Sequence, residues 1–406
     1  MSRPRKVFYD LISALCYYFF KIISIFFRFR FLMIETSAIG HMTTPIEVHY
    51  LEKKRIKETK KYFDIYFGER DIANHYLWNK WKKILKIKFD DDFSKILLKA
   101  VFLYALKKKD HSMLIPFRHH SGFLDDKKAD NIYEWQHHDI YDLINKNEPI
   151  IKLNSKEVSE GYKILNRLNI QERDEVILLC VRDAAWRHRF KKNNAKRITI
   201  RDNDISDFKE LVTYLCEKNY KVIRMGKIVE KKLDFQHNNF IDLPFTNKRT
   251  DFLDIFLFNI CTFVISTGTG VENIGDLFRK KRIWLNFADF EVYNKKISTS
   301  LIYPKEVLYK ENNSILSLIE IFENNLHRID NVYEYEQNKF QFKSISPEKM
   351  INSVKEMEDF IKNGYSKESS KKNKMMNDLL SKKFNTKYFY NWSEEYLNLQ
   401  NDLNTN

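Results

Sequence analysis

The sequence predicts an α/β protein of two Rossmann-like domains, preceded by an apolar amphipathic helix and followed by a helical extension. Three observations predict it. The chain has 406 residues, against a usual domain of about 150. Hydrophobic residues make up 43% of it, with 32 Phe and 22 Tyr, enough apolar and aromatic surface to offset the entropy of ordering. Its second half alternates apolar β-type runs with segments of helical spacing, the pattern of a parallel sheet covered on both faces.

Residues 7–34 are the most apolar part of the chain. Asp10, Ser13, Tyr17, Lys21, Ser24 and Arg28 recur at spacings of three and four, so a helix there carries one polar stripe. No small-residue cleavage site follows before Arg28 and Arg30, which argues against a signal peptide. A span needs about 20 apolar residues, and Lys21 would stand near its centre. The preferred reading is a helix lying in a membrane interface, with Arg3, Arg5, Lys6, Lys21, Arg28 and Arg30 toward anionic headgroups. A helix packed on the protein's own domain and a true span are the alternatives.

Domains are expected at 1–29 (the helix), 30–172 (N-terminal Rossmann-like), 173–335 (C-terminal Rossmann-like) and 336–406 (helical extension ending in a mobile tail). In the N-terminal Rossmann-like domain, residues 31–35 read as a strand, Ile39-Gly40-His41 as a turn, and Thr44-Pro45 as a helix start. Residues 62–67 read as a second strand and 71–87 as a helix. The segment 155–169 reads as a helix capped by Ser155. In the next domain, strands are expected at 176–181, 221–225, 262–265 and 282–285, and helices at 205–216, 252–260 and 271–278.

Open parallel sheets bind ligands beyond the carboxyl ends of their strands. Those positions are polar here: Arg182-Asp183 after the first strand, Arg224 and Gly226 at the end of the second, and Ser266-Thr267-Gly268-Thr269-Gly270 after the third. Small residues between a strand and a helix let backbone amides and hydroxyls approach an anion, and a diphosphate fits. The same run also reads as a turn whose hydroxyls only cap a helix. Arg182 suits bidentate phosphate contacts, with Asp183 to orient it, or the two form a local salt bridge. Arg224, inside a strand expected to be buried, needs a carboxylate or a ligand. Asp251 joins the donor-side set, although Asp251 and Asp254 at a helix start also read as caps.

No metal is expected. Asp90-Asp91-Asp92 and Asp125-Asp126 read as charged loops, and Asp204 of Asp202-Asn203-Asp204 reads as an N-cap. Neither histidine pair, 119–120 or 137–138, has the spacing of a helical zinc site. The Arg118-His119-His120 cluster falls in the least regular stretch. Cys16, Cys180, Cys216 and Cys261 form no CxxC pair, which fits a reducing compartment. A net charge of +15 implies an anionic partner, but no zinc-finger, RNP or basic-zipper signature accompanies it, so nucleic acid is not the expected one.

The segments 181–186 (VRDAAW), 201–208 (RDNDISDF), 222–226 (VIRMG), 249–257 (RTDFLDIFL), 263–270 (FVISTGTG) and 284–287 (WLNF), with Ile39-Gly40-His41-Met42 ahead of Glu47, resemble the glycosyltransferases of bacterial surface-polysaccharide (O-antigen and capsule) gene clusters. More distantly they resemble fucosyltransferase-like enzymes of the two-Rossmann GT-B fold. The resemblance covers roughly residues 30–310. It implies a nucleotide-sugar donor held through its diphosphate by Arg182, Arg224 and 266–270, with the acceptor on the N-terminal domain. The acceptor is expected to be a glycan or a polyprenyl-linked glycan, reached at the cytoplasmic face of the inner membrane. A longer apolar N-terminus departs from the family pattern, and Ala288-Asp289 leaves the acceptor-side loop hard to align. For a general base the candidates are His41, Asp183 and Glu47. The competing readings are a non-catalytic nucleotide-sugar-binding protein and a phosphopolymer or head-group transferase.

Overall fold

The computed structural model describes residues 3–56, 61–117, 139, 141–190, 199–288, 300–329, 331–337, 339–384 and 391–400. The chain divides into two compact units, Met1–Ile151 and Lys152–Asn406, and both are α/β with parallel strands.

In the first unit, α1 (Arg3–Phe27) runs into β1 (Phe29–Ile34). A 3-10 turn, Ile39–Met42, leads to α2 (Thr44–Arg55), with Pro45 in the first turn where its missing N–H costs no bond. β2 (Phe63–Gly68) pairs with β1 in parallel, and Leu114 bridges Phe31 in the same sense. The helices α3 (His75–Leu85), α4 (Asp92–Lys107) and α5 (Leu143–Lys146) follow. The sequence reading had 90–92 in a loop, but Asp91 accepts the Ser94 N–H and starts α4. Phe31, Met33, Phe67, Val101 and Phe102 form a core beneath the pair. Arg30 is buried and holds Asp64 through both Nε (2.7 Å) and Nη2 (2.9 Å). The polar stripe of α1 turns inward: Tyr17 is 5% exposed and its hydroxyl donates to Asp110 at 2.7 Å.

The second unit begins with α6 (Ser155–Asn166), capped by Asn154 in a capping box with Glu157 rather than by Ser155. Then come β3 (Val176–Cys180), α7 (Ala185–Phe190), a 3-10 turn at Ile205–Phe208 continued by α8 (Lys209–Glu217), and β4 (Lys221–Arg224). Asp204 caps the 3-10 turn as expected, accepting the Ser206 N–H. After β5 (Phe240–Asp242), α9 (Asp251–Ile260), β6 (Phe263–Ser266), α10 (Ile274–Leu277), β7 (Lys281–Phe287) and β8 (Ser300–Pro304), the sheet is complete. Its strand order is β5-β4-β3-β6-β7-β8, all parallel. Counted in chain order this is the 3-2-1-4-5-6 arrangement of a Rossmann sheet, with its reversal between β3 and β6. Every residue of β3 is buried, as a central parallel strand requires.

Past the sheet, β9 (Glu306–Tyr309) pairs antiparallel with β10 (Phe340–Lys343), with α11 (Leu318–Glu323) and α12 (Val332–Gln337) between them. The extension is two helices, α13 (Pro347–Asn363) and α14 (Lys367–Phe384), then a short α15 (Glu394–Leu397). Where a tail was expected, Met376, Leu380 and Trp392 enter the core of the second unit, and Trp392 bridges Ile302 at the sheet edge.

Two stability measurements follow. A Cβ added to Gly161 of α6 would sit 2.4 Å from the Phe256 ring of α9. Gly161→Ala is therefore expected to destabilise by about 1–2 kcal/mol in urea unfolding, although alanine is the better helix former. Burial pushes Glu356 of α13 from 4.5 up to about 7, against the Glu394 N–H that favours its charge. The folded chain thus keeps a proton that the unfolded chain releases near 4.5, so stability falls as pH rises through that interval. Glu356→Gln should match the wild type at pH 4 and exceed it by about 2 kcal/mol at pH 8.

Candidate functional site

The carboxyl ends of β3 and β6 meet where the strand order reverses. The Arg182 N–H donates to Thr267 Oγ1 at 2.8 Å, and the Thr267 N–H donates to the Cys180 carbonyl at 3.1 Å. Arg201, on the loop leading to α8, donates Nη2 to the Gly268 carbonyl at 3.2 Å. Arg201 thus brings its guanidinium to the turn after β6, while Arg182 is fixed there by its backbone and holds Nε 3.9 Å from Asp202.

The loop that carries Arg201 is locked from several directions. The Asn203 N–H donates to the Arg182 carbonyl at 2.9 Å. Asp202 takes Arg187 Nη2 at 2.5 Å and lies 3.9 Å from Arg182 Nε. Beneath it, buried Lys305 donates to the carbonyls of Ile200 (2.9 Å) and Asp202 (2.6 Å). Burial pushes this ammonium down to about 8, with Asp202 and Asp207 pulling the other way.

The turn 266–270 is built largely from its own side chains. The hydroxyls of Ser266 and Thr267 are buried; Ser266 bonds the Glu272 carboxylate, and the Gly268 N–H donates back to Ser266 Oγ at 3.3 Å. Thr269 and Glu272 form a capping box in which the Thr269 N–H donates to Glu272 at 3.1 Å. The Trp284 indole N–H also donates to Glu272, at 2.7 Å. Burial raises the Glu272 carboxyl above its usual range, while Arg282 opposes that. Gly268 has φ 86°, and a Cβ there would be 2.5 Å from the Phe287 ring, so the position excludes a side chain twice over. Gly270 opens a 3-10 turn of four residues that is continued by only four of α10.

Beside this lies a cavity of about 380 Å³ whose lining includes Asp183, Arg187, Asp202, Arg224, Glu230 and Lys231. Arg224 is 1% exposed. Its Nη1 donates to the Lys231 carbonyl at 2.6 Å and lies 3.4 Å from Asp242, and its Nη2 lies 3.8 Å from Asp183. Asp183 also accepts the N–H groups of Ala185 (3.1 Å) and Glu230 (2.8 Å). Gly226, with φ 148°, leaves no room for a side chain beside Val229. The cap of α9 is Thr250, which accepts the Leu253 N–H; Asp251 and Asp254 instead pair with Arg249. Burial pushes Asp254 up to about 7 despite Arg249.

In the first unit, Glu47 is fully buried and accepts the Ile150 N–H at 2.9 Å. His41 is partly exposed, with Nδ1 3.5 Å from Glu35. Among the described residues, no group of three or more His, Cys, Asp and Glu is placed to hold a metal ion. The segments with Arg118-His119-His120, Asp125-Asp126, His137-His138 and Asp289 lie outside the described residues. Sequence reasoning missed Arg201, Lys305 and Glu35. Arg201 stood inside a segment already singled out, and Glu35 directly follows β1; for Lys305 no signal separates one buried lysine from the many others.

No protein-family profile matches the chain, and none of the curated proteins does. Two solved structures resemble it. The ADP-heptose LPS heptosyltransferase II of E. coli is 10% identical, with TM-score 0.38, over 63% of this chain and 84% of that one. A glycosyl transferase of family 9 from Veillonella parvula DSM 2008 is 11% identical, with TM-score 0.42, over 82% of this chain and 97% of that one. Likenesses at this level match no residue of this chain to a residue of theirs.

Removing Glu272 tests how far the turn 266–270 depends on its buried network. Glu272→Ala strands the Trp284 indole and takes one partner each from the Ser266 hydroxyl, which keeps the Cys180 carbonyl, and from the buried Arg282, which keeps Asp276, at an expected cost of about 2–3 kcal/mol in urea unfolding. Thr269→Ala, which removes only the cap, should cost about 1 kcal/mol.

Proposed function

We propose that the chain is a glycosyltransferase that moves a sugar from a nucleotide-sugar donor to a glycan or lipid-linked acceptor, without a metal ion, in bacterial surface-polysaccharide synthesis. One observation carries the reading: two arginines, Arg182 and Arg201, are tied to the strand-end loops at the reversal of a Rossmann sheet. That is where such sheets bind nucleotides, and guanidinium forks match paired phosphate oxygens. The adjoining cavity alternates acid and base, a lining suited to groups that both donate and accept, such as sugar or ribose hydroxyls. The resemblance of the segments between 181 and 287 to polysaccharide glycosyltransferases points the same way. A lipid-linked acceptor would bring the enzyme to the cytoplasmic face of the inner membrane.

In this reading the acceptor oxygen bonds to the anomeric carbon, the bond from that carbon to the diphosphate breaks, and the acceptor proton passes to a base. Arg182 and Arg201 take up the charge that develops on the leaving diphosphate. His41 is the base, turned by Glu35. Glu47 and Asp183, whose carboxylates accept backbone N–H groups, position loops.

Thermal shift with GDP, UDP, CMP and TDP tests the donor half. At ~100 times its dissociation constant, the right nucleotide should stabilise the protein by about 2.7 kcal/mol. Arg182→Ala or Arg201→Ala should weaken that binding roughly 10- to 100-fold. If none of the four moves the melting temperature, the donor assignment is lost. For the acceptor half, His41→Ala should lower turnover by about 10²- to 10⁴-fold and remove the acid limb of the pH-rate profile, with nucleotide affinity unchanged. Tight nucleotide binding with no transfer or donor hydrolysis in the wild type would instead favour a non-catalytic binding protein.

A further inference from the structure

The helix α1 is amphipathic in an unusual sense. Its polar stripe is the buried side: Ser13 and Tyr17 are buried, and the Lys21 ammonium bonds both Asp110 and Ser112 on the segment after α4. Burial would raise the Asp110 carboxyl, but its bonds to Lys21, Ser112 and Tyr17 hold it down at about 2. The opposite side carries Leu11, Leu15, Phe19, Ile22, Ile25 and Phe26, all exposed, the last two by 75% and 79%. The helix is therefore fastened to its unit by these polar groups together with Cys16 and Phe20, which pack against its core, and it presents a second, hydrocarbon face outward, unlike a surface helix on a soluble protein.

We propose that this outward face of α1 docks on an anionic lipid bilayer, with the helix lying in the plane of the interface and its polar stripe still fastened to its own unit. The occupant follows from the rim. Exposed Tyr18 packs against Tyr104, and the ammonium groups of Lys107 and Lys108 lie over the Tyr104 ring at 5.9 Å and 5.7 Å. Lys107, Lys108 and Lys109 are all exposed, as is Arg28 just past the other end of the apolar row. Aromatic rings flanked by lysines at the edge of a hydrocarbon face match the headgroup level of a membrane, where each basic group adds attraction to anionic lipid. A span would require Tyr17 and Lys21 to leave Asp110 and enter hydrocarbon. A two-fold partner copy would set this basic rim against itself. The inference does not depend on what the second unit binds.

Vesicle cosedimentation with the full chain tests it, using phosphatidylcholine with and without phosphatidylglycerol. The wild type should pellet with the phosphatidylglycerol vesicles and be released by alkaline carbonate. The double variant Ile22→Gln/Phe26→Gln should lose about a hundredfold in partitioning. Lys107→Glu/Lys108→Glu should lose roughly tenfold, on phosphatidylglycerol vesicles alone and only at low salt. Both pairs of side chains are exposed, so melting temperature should stay at the wild-type value, and any nucleotide shift with it. Failure of the wild type to bind either vesicle overturns the proposal. So does resistance to carbonate, which means a span, or a concentration-dependent dimer that Ile22→Gln/Phe26→Gln abolishes, which means a second copy covers the face.

Discussion

The hydroxyl of Thr267 reaches back to the backbone N–H of Arg182, and the candidate site depends on that bond. β3 and β6 are neighbours in the sheet, but the chain leaves them toward α7 and α10, so beyond the Thr267 N–H on the Cys180 carbonyl no ladder bond holds the two loops together. A side-chain hydroxyl does so without adding a charge. It also places Arg182 where the Asn203 N–H can reach its carbonyl, which brings the 200–203 loop and Arg201 onto the same edge. Three segments far apart in sequence thus share one location because a single small polar residue follows β6.

Buried ions stiffen this edge from below. Lys305 bonds two carbonyls of the 200–203 loop, Glu272 collects Ser266, Thr269 and Trp284, and Arg224 collects Lys231, Asp242 and Asp183. Taking such groups out of water costs several kcal/mol each, and hydrogen-bonded partners offset the cost only where the geometry is good. What these ions contribute is a fixed position for loops that carry little apolar surface of their own. The loops around the reversal then behave as one body, a condition for aiming arginines at a ligand.

Much of the architecture could be read from the residues, and the parts that could not have physical reasons. The central strands stand out because each is a continuous apolar run between helices, and β3 was legible to within one residue. β5 has three residues and ends in Asp242, whose role is to hold Arg224; too few side chains remain to show a pattern. β8 is a short run, Ser300–Pro304, that ends in proline and has no helix-period segment beside it to mark it as a sheet strand. α4 was passed over because Asp90-Asp91-Asp92 looks like a loop, although a carboxylate ahead of an apolar run is a helix start. The polar stripe of α1 was visible from its spacing, but periodicity does not say which side faces the protein. Asp110, far along the chain, decides that.

Burial separates the two arginines that the sequence had treated alike. Arg224 is enclosed and satisfies two carboxylates; lending it to a diphosphate would take compensation from buried Asp242 and from Asp183. Arg182 has a side chain 28% exposed, and Asp202, 3.9 Å from its Nε, is already held by Arg187. In the proposed reading a phosphate oxygen approaches the Arg182 guanidinium while Asp202 keeps Arg187 as its partner. The same reasoning moves the anion away from the 266–270 turn, whose buried hydroxyls and Gly268 and Thr269 amides are engaged with Glu272, Ser266 and Arg182. The turn supplies a rigid wall, and in the proposed reading the charge for the donor comes from Arg182 and Arg201 instead.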